Sequence, residues 1–230
     1  MYIWELPEWP HFCWNAEQLL KPLADTHLRQ GRLLGRMSNL GFDLRLEAEV
    51  EAITEEAIKS SEIEGEHLNP ESVRSSVARR LGVPNAAFGP EDRRVEGIVE
   101  MTLDATKNFM TPLTRERLIG WQAALFPTGY SNLHKVKTGD WRDDTDGPMQ
   151  VRSGPMGNET VHYEAPPAGR VEAEMQAFLA WFNEPLTIDG IVHAAIAHLW
   201  FVTIHPFDNG NGRIARALAD MSLARSEDSS

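Results

Sequence analysis

Cysteine is almost missing from this sequence: Cys13 is the only one among 230 residues. That excludes an internal disulfide framework and every multi-cysteine zinc pattern, and it points to a reducing compartment. Positive charge is scarce too. Lys and Arg number 22 against 34 Asp and Glu, a net charge of −12 with His neutral. Broad, non-specific nucleic-acid binding needs a basic face and is excluded, whereas a small phosphate ligand needs only local positive charge. Long hydrophobic runs are absent. The longest, AAIAHLWFVTI over 194–204, is interrupted by His198 and is too short to span a bilayer. The opening MYIWELPEWP has no basic flank and carries Glu5 and Glu8, so it is not a signal peptide. A cytoplasmic location with no membrane contact is expected. Apolar residues still make up 42% of the chain, enough for a sizeable core.

Proline and tryptophan alternate in residues 1–14, which predicts an extended segment packed down by its aromatics. Helical patterning begins near Asn15, breaks near Asn39-Leu40-Gly41 and resumes over 43–64, where Leu46, Val50, Ile53 and Ala57 form one stripe. Asn69-Pro70-Glu71 reads as the entry to a helix that ends near Leu81. The Gly- and Pro-rich stretch 81–92 is the natural boundary between two regions. Helical patterns follow at 91–110, 114–125, 171–183 and 189–203, the last apolar nearly all round. Between them, 127–169 is irregular, and Asp146-Gly147 with Val161-His162-Tyr163 predicts a short hairpin inside it. The fold class is mainly α.

Several chemistries drop out. No phosphate-binding GxxxxGK[ST] loop, HExxH or GxSxG motif occurs. The run from Arg142 to Gly147 resembles a calcium loop only at its end, because its first ligand position is Arg142 and its twelfth is Ser153. His193 and His198 lie five residues apart, on different helix faces, and read as core histidines.

The informative stretch is IHPFDNGNGRIAR, 204–216. Pro206 ends one helix, and Gly210-Asn211-Gly212 opens the next, with Arg213 and Arg216 one turn apart on the same side. Arginines in the first turns of a helix oppose its dipole by roughly 0.3–1 kcal/mol each, and an anion there reverses that penalty. The glycines let backbone N–H groups approach such an anion, and Asn211 adds an amide donor. His205 stands at the rim, placed to take a proton from an incoming hydroxyl. On spacing alone, an anion site and a Gly-rich turn with surface arginines are both open.

HPFDNGNGRIAR resembles the signature of the Fic family, His-Pro-Phe-x-acid-Gly-Asn-Gly-Arg-x-x-Arg, with eleven of twelve positions agreeing. The resemblance implies a Fic-type helical core over 91–226 with a short β-hairpin flap, preceded over 1–82 by a helical region like that of one bacterial subgroup. It implies transfer of AMP from ATP to a protein hydroxyl, with His205 as general base. Phe207, Gly210, Asn211, Gly212, Arg213 and Arg216 would contact the nucleotide, and Mg2+ would bridge its phosphates. The family's metal-ligating acid is replaced by Asn209, with Asp208 one place earlier. An amide oxygen can ligate magnesium but brings no charge. The flap would span Asp146–Pro166, with Met149, Gln150 and Val151 docking an extended target segment that presents a Tyr, Ser or Thr hydroxyl. Self-modification and a homodimer are further implications. So few residues follow Arg216 that the motif helix is expected to be short and the core truncated.

A second motif lies far from the first. SSEIEG, 60–65, fits the family's inhibitory pattern Ser/Thr-x-x-x-Glu-Gly, with Ser60 and Glu64 in the key places. Continuing the stripe from Ile53 and Ala57 turns both residues inward, and a carboxylate at a helix C-terminus needs a cation. The resemblance nominates Arg216; a solvated acid in an acid-rich helix is the other reading. The expected activity is therefore a protein adenylyltransferase restrained by Glu64. The alternatives are a hydrolase that removes AMP from proteins and a weakly active nucleotide-binding regulator.

Overall fold

The structure, a computed structural model, describes residues 1–83, 92–131, 133–145, 147–155 and 158–228. Most of the expected 81–92 boundary and Asp146 lie outside the described residues. The order is α1 (Ala16–Ser38), α2 (Phe42–Ile63), α3 (Pro70–Arg80), α4 (Arg93–Lys107), α5 (Arg115–Leu125), β1 (Tyr130–Ser131), β2 (His134–Lys135), β3 (Gln150–Ser153), β4 (Thr160–Glu164), α6 (Ala168–Asn183), α7 (Gly190–Ile204) and α8 (Asn211–Asp228). Helix starts follow local chemistry. Asn15, Asn69, Asp92, Thr114 and Asp189 each accept a first-turn N–H with their side chain. The mainly α class expected from the patterning is the class observed.

The core lies between α2, α4, α6, α7 and α8, where Phe178, Phe182, Phe201, Phe207, Ile204, Ile214 and Leu218 are fully buried. α7 is apolar nearly all round; α8 packs along it, and Ala195 and Leu199 stay at the surface. α4 and α5 cross closely: a Cβ on Gly97 would collide with the Ala124 carbonyl. His193 is buried against Ser222 and stacked on Trp181, and burial drops its pKa to about 4.

Three expectations change. Residues 3–10 form a 3-10 turn and further turns rather than an extended run, although the aromatics do pack: Trp4 donates to the Glu164 carbonyl and Trp9 to the Glu174 carboxylate. Gly147 closes a turn on the Asp144 carbonyl, and the β3–β4 hairpin reverses farther on, between Ser153 and Thr160. The motif helix is 18 residues long, because its apolar stripe continues through Leu218 and Met221. Among the described residues, no helix is long and apolar enough to cross a membrane.

Candidate active site

The centre of the site is the α7–α8 turn. His205 ends α7 at φ 52, ψ 58, the one non-glycine residue with positive φ among those described, and its N–H donates to the Phe201 carbonyl. Its Nδ1 lies 3.2 Å from the Val202 carbonyl. A carbonyl only accepts, so Nδ1 carries the proton and Nε2 keeps its lone pair. Burial pulls the imidazole's pKa below the ordinary histidine value; the Arg142 charge pulls the same way, against the Val202 hydrogen bond and Glu64. Burial and the Arg142 charge both favour the neutral form of the ring.

Beyond it the chain tightens. The Asn211 amide accepts the Phe207 N–H at 3.0 Å and donates to the Phe207 carbonyl at 2.7 Å. This corrects two expectations. Asn211's side chain is committed to shaping the loop, so only its backbone N–H is left for an anion. Phe207 is fully buried between Trp141 and Phe201 and has no face for a nucleotide. Gly210, at φ 91, turns the chain into α8, whose first N–H groups have no intrahelical acceptor. Asn209 Oδ1 accepts the Gly210 N–H at 2.7 Å, and Asp208 Oδ2 accepts the Lys137 N–H at 2.9 Å.

The end of α2 faces this turn. Gly65 N–H bonds the Glu62 carbonyl and Glu66 N–H the Ser61 carbonyl, the paired pattern of a glycine-capped helix end, with Gly65 at φ 76. The cap directs two carboxylates at α8. Arg216 donates to Glu64 Oε1 at 2.8 Å, to Ser60 Oγ at 2.8 Å and to the Ser60 carbonyl at 2.8 Å. Glu64 lies so close to the helix start that a Cβ on Gly212 would collide with its carboxylate. Arg213 Nη1 pairs with Glu66 Oε2 at 2.6 Å, its guanidinium lies 5.0 Å from the Phe126 ring centre, and its buried Nε has no partner. Glu66 went unnoticed in the sequence; its only signal is its place two residues beyond Glu64, across a cap glycine. Glu64, Glu66, Arg94, Ser131, Asn209 and Arg213 line a cleft of about 250 Å³.

The flap stands over the same turn. β3 and β4 pair antiparallel, and the Tyr163 hydroxyl donates to the Thr203 carbonyl at 2.6 Å, fixing the hairpin to the end of α7. Gln150 and Val151 lie on β3, whose outer edge is unpaired among the described residues; the Met149 carbonyl accepts the Ala165 N–H.

A helical domain with a histidine at one end of a helix, two arginines at the start of the next and a hairpin alongside is an arrangement chemically able to hold an anion and accept a proton. The sequence comparisons place it more narrowly. The Fic/DOC family model matches residues 112–223, and a domain of unknown function, DUF4172, matches residues 2–83. The chain carries a Fic/DOC family domain. It is similar to protein adenylyltransferase Fic of Nematostella vectensis, 28% identical over 178 residues, 76% of this chain and 38% of that protein. It is also similar to protein adenylyltransferase fic-1 of Caenorhabditis elegans, 45% identical over 58 residues, 24% of this chain and 11% of that one. The match thus spans well under two thirds of these relatives. Among solved structures, a Fic family protein from Desulfovibrio desulfuricans shares the fold at TM-score 0.61 and 21% identity, over 94% of this chain and 60% of that one. Fic-1 of C. elegans does so at TM-score 0.59 and 22% identity, over 91% and 60%.

Proposed function

We propose that this protein transfers AMP from ATP to a hydroxyl side chain of a target protein, and that the end of α2 restrains it. The observation that carries the reading is the pairing of Arg216 with Glu64 and Ser60 beside the free N–H groups of α8. A site built for phosphate is filled by the chain's own carboxylate. The names of the relatives agree with this reaction.

His205 Nε2 takes the proton of the target hydroxyl, whose oxygen attacks the α-phosphorus as the bond to pyrophosphate breaks. The start of α8 receives the α-phosphate on N–H groups, and Arg213 and Arg216, once released, hold the β- and γ-phosphates. Asn209 would hold Mg2+; its oxygen keeps a lone pair beyond the Gly210 N–H, which suits a metal carried in on the nucleotide. The metal supplies charge neutralisation of the phosphates. The target lies along β3 as an added strand, with Met149, Gln150 and Val151 beneath it.

Glu64 restrains the reaction by denying Arg216 to the γ-phosphate. A second reading, removal of AMP from modified proteins, draws on the contact of Glu64 with Gly212, where a carboxylate can orient a water beside the α-phosphate. The test is incubation of the wild type, Glu64→Gly and His205→Ala with ATP labelled on its α-phosphate, together with cell lysate. A freed charge-assisted contact of roughly 1.5–3 kcal/mol predicts about one to two orders of magnitude more label on protein for Glu64→Gly. None is expected for His205→Ala, with ATP affinity within a few-fold. A folded, ATP-binding Glu64→Gly protein with no gain overturns the restraint. Loss of AMP from a modified target, falling in Glu64→Gly, favours the hydrolase.

A further inference from the structure

Arg142 has no exposed side-chain surface, and each of its three side-chain nitrogens donates a hydrogen bond. Nε donates to the His205 carbonyl at 2.7 Å, Nη2 to the Pro166 carbonyl at the foot of β4, and Nη1 to Asp144 Oδ1 at 3.1 Å. Its backbone N–H donates to the Pro206 carbonyl at 2.9 Å. Asp144 in turn accepts the Ala168 N–H at the start of α6 through Oδ2, at 2.8 Å. One residue therefore grips the His205-Pro206 segment twice and ties it to the base of the flap.

A buried guanidinium is a costly choice for a structural tie, since desolvation penalises its charge. What it holds is unusual backbone. A non-glycine residue in the left-handed region is strained and persists only where its surroundings over-determine it. The carbonyl that Arg142 grips belongs to that residue. We infer that Arg142 is a positioning residue for the reaction: it fixes the His205 backbone, and with it the imidazole, in register with the flap on which a target strand would lie. The inference rests on the reading of His205 as the base. The charged groups acting on the imidazole are Arg142 and, from α2, Glu64.

Charge and fork are separable by substitution. Arg142→Lys keeps the charge and loses the planar fork; Arg142→Gln loses the charge. Both are made in the full chain carrying Glu64→Gly, with two readouts: titration of the His205 imidazole by NMR, and kcat and KM for ATP in label transfer. For Arg142→Lys the His205 titration should stay near that of its parent while kcat falls about tenfold to a hundredfold, the scale of an ångström-sized misplacement, and KM for ATP holds within about threefold. For Arg142→Gln the titration and the acid limb of kcat should both move to higher pH. An unchanged kcat in either folded variant overturns the inference. So does an identical shift of His205 in both, which would mean general loosening. If both variants fail to fold, Asp144→Ala in the same Glu64→Gly parent removes one support of the guanidinium without altering its charge; a kcat equal to the parent's there overturns it equally. If no variant or parent transfers label, the functional reading has failed, and the NMR titration still decides whether Arg142 controls His205.

Discussion

Asn209 is where this chain departs from the twelve-residue signature, and the structure gives the departure a local logic. Its side-chain oxygen accepts the N–H of the next residue, a bond that a carboxylate oxygen makes equally well. Asn209→Asp therefore keeps the turn and adds a negative charge just ahead of α8, worth roughly 0.3–1 kcal/mol of helix stabilisation. It should lower the magnesium concentration for half-maximal label transfer and leave the melting temperature equal or slightly higher. A magnesium requirement that is unchanged or raised removes Asn209 as a metal ligand. Asp208 does not inherit the role cheaply, because one of its oxygens is committed to the Lys137 N–H.

The same scale separates what the residues disclosed from what they withheld. That His205, Arg213, Arg216, Ser60 and Glu64 lie around one turn is legible in the sequence, because each is a chemical type placed by a short motif or a helical stripe. The motif suggests Phe207 and Asn211 as ligand contacts, but both side chains are spent on the loop itself: one fills the core and the other clamps its backbone. Arg142 lies in an irregular stretch, where no periodicity says which way a side chain points. The distribution of apolar residues does not carry that information.

At the scale of elements, the end of α2 does more than one residue can. Its glycine cap reverses the chain so that Glu64 and Glu66, two apart, face successive arginines of α8. Helical spacing cannot find such a pair, because the geometry belongs to the cap and not to the helix. Arg213 is the more buried of the two arginines, its side chain 4% exposed against 21% for Arg216. Burial lowers its pKa, and Glu66 is the first of the charges that oppose this. Glu66→Gln leaves that cation without its carboxylate. The variant should melt at a lower temperature without nucleotide and gain more from ATP than the wild type does. Combined with Glu64→Gly it should raise ATP affinity beyond Glu64→Gly alone. Equal ATP-induced stabilisation in Glu66→Gln and wild type would mean that Arg213 takes no phosphate.

Across the whole molecule, the packing of α2 on α8 carries a pH dependence of its own. Asp220 sits one turn beyond Arg216 on α8, and its carboxyl is pushed up to about 7, first by burial and then by Glu56 of α2, with Arg216 opposing. In the unfolded chain the same group titrates near the ordinary aspartate value of about 3.9. The folded state thus holds this proton more tightly, and its contribution to stability is full below the unfolded value. It is lost progressively as pH rises from there through about 7, above which this half-buried carboxylate is ionised beside Glu56 in the folded state as well. His193 works in the opposite sense: with its pKa dropped to about 4, its contribution is present above the ordinary histidine value and lost as pH falls toward 4. Asp220→Asn isolates the first effect, since the amide keeps the shape and never ionises. Its melting temperature should match the wild type's near pH 4, exceed it increasingly from pH 5 to about 7, and level off above that, at roughly 2–4 °C for each kcal/mol recovered in a chain of this length. A difference that does not grow with pH, measured by calorimetry between pH 5 and 8, would show that Asp220 ionises in the folded state as it does in water.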